Sequence, residues 1–436
     1  MGKRFYLSLL VIVAISLFVL YAASRSMNAM SSYWQKQIIW YLLGFLVMLV
    51  VSRVNYRFLA SYWWLLYLLA LAMLVVVLVA GVRIRGSKSW VVFGGLRFQP
   101  SELAKIFFIV ALARVVSSFR RDMVGSFSFY AIIGLLSAVP LLLVALEPDF
   151  GTATVFLAVT LGIVYASGIP SFHTFVIVSA TLLGVLIPSF LLWGEMAGGG
   201  GFVEFVKFLS RNASWLAFAF FFLSGIVFVL QKMYGFLKKY VFERIEGLLF
   251  SSGLGFAISY VLQRVLKDYQ KARIMAFFDP SVDPLGVGYN VIQSTTAIGS
   301  GGILGRGFLK GPLTSLGFLP EPATDFAFSV LGENFGLLGL AVFMVAYAYL
   351  LYSMLRVAQN SSDALGRYIV VGVFSMFLYH FLVNSAMCLG IAPSIGIPLL
   401  LLGYGGSSVL SSFVGIGLVL SVWRFTRMKS EKVYQV

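Results

Sequence analysis

Apolar runs long enough to cross a hydrocarbon layer recur along this chain, and they leave it one choice of secondary structure. Crossing takes roughly 20 residues of helix, and lipid offers no partners to main-chain N–H and C=O groups, so each run has to be helical. The runs lie at about 5–23, 36–52, 61–81, 102–117, 128–147, 152–167, 171–193, 213–231, 248–266, 326–352, 368–388 and 405–423. Of the 436 residues 60% are hydrophobic and 11% charged, too few polar groups to cover a soluble protein of that length. The expected fold is an all-α, polytopic transmembrane helical bundle of about twelve spans, a single integral membrane domain over 1–436.

An even number of spans puts both termini on one side, and the basic residues select the side. Lys3 and Arg4, Arg53 and Arg57, Arg120 and Arg121, Lys232 to Arg244, Arg356 and Arg367, and Arg424 to Lys429 all fall together if the termini are cytoplasmic. The net charge of +16 is thereby a topology signal and not a nucleic-acid footprint. The first run follows Lys3 and Arg4 as a signal peptide would, but it lacks a small-residue cleavage site and is long enough to remain a helix. With Cys388 alone, no intramolecular disulfide can form.

Two segments carry cations on the opposite, external side. One is a basic loop at 82–101, with Arg83, Arg85, Lys88 and Arg97. The other is the long polar stretch 267–325, with Lys267, Lys271, Arg273, Arg306 and Lys310. An anionic ligand at the outer surface would account for them; tolerance of stray charges once the other loops fix orientation is the plainer account. The second segment is rich in Gly and Pro, which permit positive φ and break helices. Its interleaved Tyr289, Val291, Ile292, Ile303, Leu304, Phe308 and Leu309 favour short helices at the membrane surface over disorder.

Only 16 residues are acidic, so those beside spans stand out. Glu102 and Lys105, three apart, share a helix face and suit either a buried ion pair or a ligand contact. Glu147 and Asp149 flank Pro148. Asp325 follows Glu321 by four residues, and Glu333 lies inside the next span. By pattern alone Thr324-Asp325 reads as a helix start. His173 and His380 are too few and too scattered for a zinc site, and His380 reads as an interhelical packing residue.

Taken together, several blocks are recognisable. They are Gly86 to Trp90, Phe98 to Lys105, Glu147 to Thr152, Asp283 to Gly286, Gly288 to Ser294 (including Gln293), Ala297 to Gly302, Phe318 to Glu321, Thr324 to Phe326 and Tyr404 to Ser408. In this order they resemble the SEDS family (shape, elongation, division and sporulation), and within it the RodA branch more than the FtsW division branch. The resemblance implies a ten-span core in the bacterial cytoplasmic membrane. The implied activity is a peptidoglycan glycosyltransferase that polymerises lipid II on the outer face during elongation. A class B penicillin-binding protein and other elongation-complex proteins are the implied partners. The Thr-Asp-Phe block makes Asp325 the implied catalytic residue, and 267–325 the extracytoplasmic catalytic loop.

For such a reaction a carboxylate can take the proton of an attacking sugar hydroxyl, and a leaving pyrophosphate needs positive charge or a metal. The candidate substrate-binding residues are Lys88, Arg97, Glu102, Lys105, Asp149, Lys271, Arg273, Gln293, Ser294, Arg306, Lys310 and Glu321. A divalent cation, magnesium or manganese, is compatible with the chemistry, although no ligand spacing specifies one. A flippase for the same lipid is the alternative from another class; it would place polar groups along a path through the midplane.

Three departures from the family pattern are visible. Ala323 stands where the family usually has His before Thr-Asp, Lys88-Ser89-Trp90 replaces a Lys-Arg-Trp, and the stretch 194–267 reads as an inserted hairpin adding two spans to the ten.

Overall fold

The computed structural model describes residues 3–26, 32–84, 87–93, 96–196, 200–233, 239–282 and 286–433. Arg85, Gly86 and Asp283-Pro284-Leu285, all singled out above, lie outside them, as do 197–199 and 234–238 of the predicted insertion. Each predicted span is a helix. In chain order come α1 (Lys3–Ser26), α2 (Tyr33–Arg53), the short α3 (Tyr56–Ser61) and α4 (Trp63–Ala80). Strands β1 (Val82–Ile84), β2 (Ser87–Phe93) and β3 (Leu96–Phe98) follow, then α5 (Pro100–Ser118), α6 (Phe127–Leu146), α7 (Phe150–Ala166) and α8 (Ser171–Met196). Next are α9 (Gly201–Arg211), α10 (Ala213–Met233), α11 (Lys239–Val265), α12 (Asp268–Phe278), α13 (Val287–Gly301) and α14 (Pro312–Ser315). The chain closes with α15 (Ala327–Gln359), α16 (Ala364–Cys388) and α17 (Gly406–Val433).

Among the described residues ten helices are long and apolar enough to cross a membrane. The other two predicted spans are α5, which carries Glu102, Lys105 and Arg114, and α7, which has 17 residues. The chain is a multi-pass helical membrane protein.

Local signals explain the helix starts. Asp149 accepts from Thr152 N, Ser126 from Phe129 N and Asp363 from Gly366 N, each satisfying an amide that a first turn leaves open. Asp363 also ties α16 to the start of α3, through Arg57 at 2.6 Å and the Tyr56 hydroxyl at 2.9 Å.

Where a single domain is expected, internal contacts resolve two units, residues 1–168 with 290–436 and residues 169–289. The second unit holds α8 to α12. Its helices pack among themselves, α11 against both α8 and α10, with α9 and α12 on α8. The predicted polar loop 267–325 is thereby divided, since α12 belongs to the second unit and everything from Asn290 onward to the first.

The core of the first unit is built on α5, α16 and α17. Helix α5 buries Glu102 and Lys105 together with eleven other residues. By contrast α4 exposes Trp64, Leu65, Leu68, Leu69 and Val76, a surface suited to lipid.

Two features depart from the sequence reading. The segment 82–101, expected as a loop, is a three-stranded antiparallel meander, β1-β2-β3, with Val82 opposite Trp90 and Val91 opposite Phe98. Short β-branched and aromatic runs separated by Arg85-Gly86 and Gly94-Gly95 are a hairpin pattern, which the cation count overshadowed. Helix α15 is also not continuous. Gly336 has φ 63, and the break is filled by the preceding loop. Arg306 N donates to Glu333 O and Gly307 N to Asn334 O, while Leu337 N and Leu338 N donate to Gly302 O and Ile303 O. The loop thus supplies partners to main-chain groups that the kink takes out of the helix.

Glycine is required on both sides of this joint. A Cβ on Gly336 would stand 2.3 Å from Gly305 N, and one on Gly305 2.2 Å from Asn334 O, both at positive φ. Gly336→Ala is expected to destabilise the protein by about 1–3 kcal/mol. Gly299→Ala, where nothing lies within 4 Å, is expected to leave thermal unfolding in detergent unchanged or slightly raised.

Candidate active site

Between α16 and α17 the chain runs without helix from Leu389 to Gly405, yet Leu399, Leu400, Leu401 and Leu402 are fully buried. Side chains from three helices take up its carbonyls. Ser16 donates to Leu402 O at 2.7 Å, Tyr41 to Leu401 O at 2.9 Å and Gln37 Nε2 to Gly403 O at 3.2 Å. From α16, Asn384 Nδ2 donates to Ile397 O and His380 Nδ1 to Pro398 O. Leu401 has φ 66, which this web of contacts holds in place.

The same web positions Asp325. Its residue lies in a turn over 321–326, in which Glu321 O accepts from Thr324 N and Phe326 N. Asn384 Nδ2 also donates to Asp325 O at 2.7 Å, and Cys388 Sγ approaches the same carbonyl at 3.7 Å. Next to it, Ala323 O accepts from Tyr404 N at 2.6 Å. Phe326, not Asp325, is the N-cap of α15, so the helix-start reading of the aspartate is off by one residue. Glu321 has φ 44, a second non-glycine residue in the left-handed region close to the aspartate. Ala323 is buried with Leu20 and Ala23 beneath Tyr33, Trp34 and Tyr404, whose two tyrosine rings stack at 4.2 Å. Where the family has a polar His, this chain has an apolar niche.

One turn down α16, His380 joins a buried charge cluster. Lys105 Nζ is 2.9 Å from Glu102 Oε1 and 3.3 Å from His380 Nε2, and Ser411 donates to Glu102 Oε2 at 2.9 Å. An ammonium can only donate, so His380 accepts at Nε2 and carries its proton on Nδ1, facing Pro398 O. Glu102 and Lys105 therefore form an internal ion pair whose polar atoms already have partners. They brace α5, α16 and α17 around the irregular segment. Breaking one side should cost about 3–5 kcal/mol, because the other charge stays buried. Lys105→Met alone is expected to lower the unfolding temperature steeply, and Glu102→Gln/Lys105→Met to recover most of the loss.

The α6–α7 turn borders this cluster. Asp149 accepts from Gln99 Nε2, Thr152 N and Thr152 Oγ1 at 2.9–3.0 Å. Burial raises its pKa, and the Thr152 contacts and Lys105 oppose that rise. Glu147 is fully buried, and neither carboxyl oxygen has a hydrogen-bond partner. Burial, helped by Asp149, pushes it up to about 8, so it is a neutral acid at pH 7. Its main-chain carbonyl accepts from Lys88 N, docking β2 on the turn.

The remaining predicted site residues separate by location. The Lys88 ammonium caps the end of α4, donating to Leu78 O at 2.6 Å and Val79 O at 3.0 Å. Ser294 is buried and bonded to Ser329 and to Cys388 O. Gln293 is half-buried, and Arg97, Arg306 and Lys310 are exposed on the first unit. Lys271, 3.7 Å from Asp268, and Arg273 belong to the second. Glu333, flagged as a charge within a span, accepts from Leu313 N, Thr314 N and the Thr314 hydroxyl, and so anchors α14. Among the described residues no three His, Cys, Asp or Glu side chains converge to hold a metal. The side chains that complete the cradle, Ser16, Gln37, Tyr41 and Asn384, escaped the sequence reading; the one available signal was a polar group in an otherwise apolar span.

Against this geometry the relatives can be placed. The profile of the family described as cell cycle protein, FtsW/RodA/SpoVE, matches residues 3–198 and 219–428. The chain belongs to this family. The unmatched stretch, 199–218, lies within the predicted insertion, whereas 219–267 falls inside the match. The peptidoglycan glycosyltransferase RodA of Treponema pallidum is 35% identical over 96% of both chains. The peptidoglycan glycosyltransferase MrdB of Escherichia coli K12 is 30% identical over 90% of this chain and 85% of that one. A solved peptidoglycan synthase complex, described as coordinating polymerization and crosslinking, contains a chain with TM-score 0.67 and 27% identity, each covering 98% of the other.

The unpartnered acid yields a pH prediction. Between the ordinary carboxyl pKa of 4.5 and about 8 the folded protein keeps a proton that the unfolded chain releases. Stability from this group therefore falls as pH rises through that window and levels off above it. Unfolding temperatures of Glu147→Gln and the parent chain, compared from pH 5 to 9, should diverge in favour of Gln up to about pH 8 and run parallel beyond.

Proposed function

We propose that this chain is a peptidoglycan glycosyltransferase that polymerises lipid II at the outer face of the bacterial cytoplasmic membrane during elongation, with Asp325 as general base. The observation that carries the reading is the aspartate of the family block seated on a fixed main chain. Its carbonyl is held by Asn384, and its neighbour is held by Tyr404. A base is effective when its position is set before the substrate arrives. Half-buried, Asp325 is open enough to meet a sugar hydroxyl.

In this reading the 4-hydroxyl of the acceptor sugar attacks the anomeric carbon of the lipid-linked donor. Asp325 takes the hydroxyl proton, and the lipid pyrophosphate leaves with inversion at the donor carbon. Arg97, Arg306 and Lys310 are the candidate cations for the leaving group; Lys88 and Lys105, already committed to α4 and to Glu102, are withdrawn from that role. A magnesium or manganese ion would enter on the pyrophosphate with one or two carboxylates of this chain, as Mg²⁺ sites on substrate phosphates commonly do. Both termini are cytoplasmic in this reading, and a class B penicillin-binding protein is the partner that crosslinks the product.

A flippase needs polar groups free to exchange with cargo at mid-membrane. The buried charges inside the first unit's helices, Glu102 with Lys105 and Glu333 with Thr314, are instead held by fixed partners, which favours surface chemistry. The test is glycan synthesis from lipid II by the purified protein with its penicillin-binding partner. Asp325→Ala and Asp325→Asn should each lose activity by about 100-fold or more at unchanged unfolding temperature. Polymer formed at the parental rate by either variant would overturn the assignment.

A further inference from the structure

Helix α9 is amphipathic in three sectors. Val203, Val206 and Ser210 face inward: Val203 packs at Gly194 of α8, and the Ser210 hydroxyl donates to Gln263 of α11 at 2.7 Å. A second row, Phe202, Phe205 and Phe208, is 57%, 55% and 58% exposed. A third row, spaced by three and then four, is charged, with Glu204, Lys207 and Arg211. Residues three and four apart share a helix face, so the aromatic and ionic rows run side by side along the outside of the helix.

The chain's path says where that outside must be. Helix α9 has 11 residues, about 16 Å, roughly half of what crossing a hydrocarbon layer takes. It is tied at both ends to membrane-spanning helices, with α8 ending at Met196 and α10 beginning at Ala213, directly after Asn212. Both ends are thus held at the level where spans leave the bilayer. Two tryptophans mark that level: Trp193 in the last turn of α8 and Trp215 in the first turn of α10, 73% exposed. Tryptophan favours the headgroup region, where its ring is half in lipid and half in water. Phe202 joins Phe190, Trp193 and, through them, Phe278 of α12 in one aromatic cluster.

We infer that α9 is an interfacial anchor lying in the membrane plane, its phenylalanine row sunk below the headgroups and its Glu204–Lys207–Arg211 row among them. The occupant of the aromatic face is the bilayer. Three large apolar side chains in a row, left in water, would be a costly exposed patch. A cationic pair beside them suits phosphate headgroups. Through the cluster at Phe278 the anchor also holds α12, the start of the polar segment, at headgroup height. Helix α9 lies within residues 199–218, which the family profile leaves unmatched.

The test is site-directed spin labelling of the full chain in vesicles of phosphatidylethanolamine and phosphatidylglycerol. Cys388 is fully buried, so it does not compete for label. Labels at 205 and 208 should be accessible to oxygen and shielded from a water-soluble nickel chelate, at a depth of about 5–10 Å. Labels at 204 and 207 should show the reverse. Nickel access at all four positions would place the helix in water and overturn the proposal. Loss of both oxygen and nickel access at 205 and 208, or broadening between labels at low protein density, would show a protein covering the face and overturn it equally. Because a label may disturb the helix, the unaltered protein is also crosslinked with a diazirine-bearing phosphatidylglycerol. Adducts are expected on the peptide carrying Phe205 and Phe208, and their absence while lipid-facing peptides of α4 react would count against the anchor.

Discussion

Main chain that leaves the helix inside a membrane protein has to find every hydrogen bond again, and that requirement organises this structure. The stretch from Leu389 to Gly405 is irregular, and its part from Leu399 to Gly403 is buried, so hydroxyl, amide and imidazole groups on α1, α2 and α16 are committed to its carbonyls. The ion pair of Glu102 and Lys105 reaches the same segment through His380. Replacing any of these groups leaves a buried acceptor open, a loss of about 1–3 kcal/mol each. What would be an expensive loop is thereby a rigid platform.

Asp325 gains its position from this platform. Asn384 bonds two carbonyls at once, Ile397 O in the irregular segment and Asp325 O in the turn, so one amide sets the spacing between scaffold and candidate base. Glu147, by contrast, is a buried acid with no hydrogen-bond partner, held neutral by its surroundings. Two carboxyl groups of the same unit thus differ in what surrounds them, one half-buried on a braced main chain, the other sealed under the α6–α7 turn.

The helices were legible because apolar length is a strong one-dimensional signal: each of the twelve predicted spans is helical, and ten of the described helices are long and apolar enough to cross a membrane. The meander at 82–98 was not, because its cations drew attention from its alternation of Val, Ile, Trp and Phe. Family blocks placed Asp325 but could not reveal its neighbours, since Ser16, Gln37, Tyr41 and Asn384 come from distant parts of the chain and meet only in three dimensions. The same blindness hid the partners of Lys88, Leu78 O and Val79 O, which are main-chain atoms that no sequence pattern displays. Ser294, in a family block, likewise serves packing between α13, α15 and α16.

The break at Gly336 has a mechanical meaning. It divides α15 into a short N-terminal piece, which follows Asp325 and Phe326, and a long C-terminal piece. The loop from Gly302 to Gly307 is stitched to both sides of the division. A tilt of the N-terminal piece would break the bonds from Arg306 N to Glu333 O and from Gly307 N to Asn334 O unless the loop moved with it, which ties the main chain of Arg306 to the helix that Asp325 precedes. An acid and a cation on separate mobile loops could drift apart under load; here they are geared together, and a displacement of either one is felt by the other.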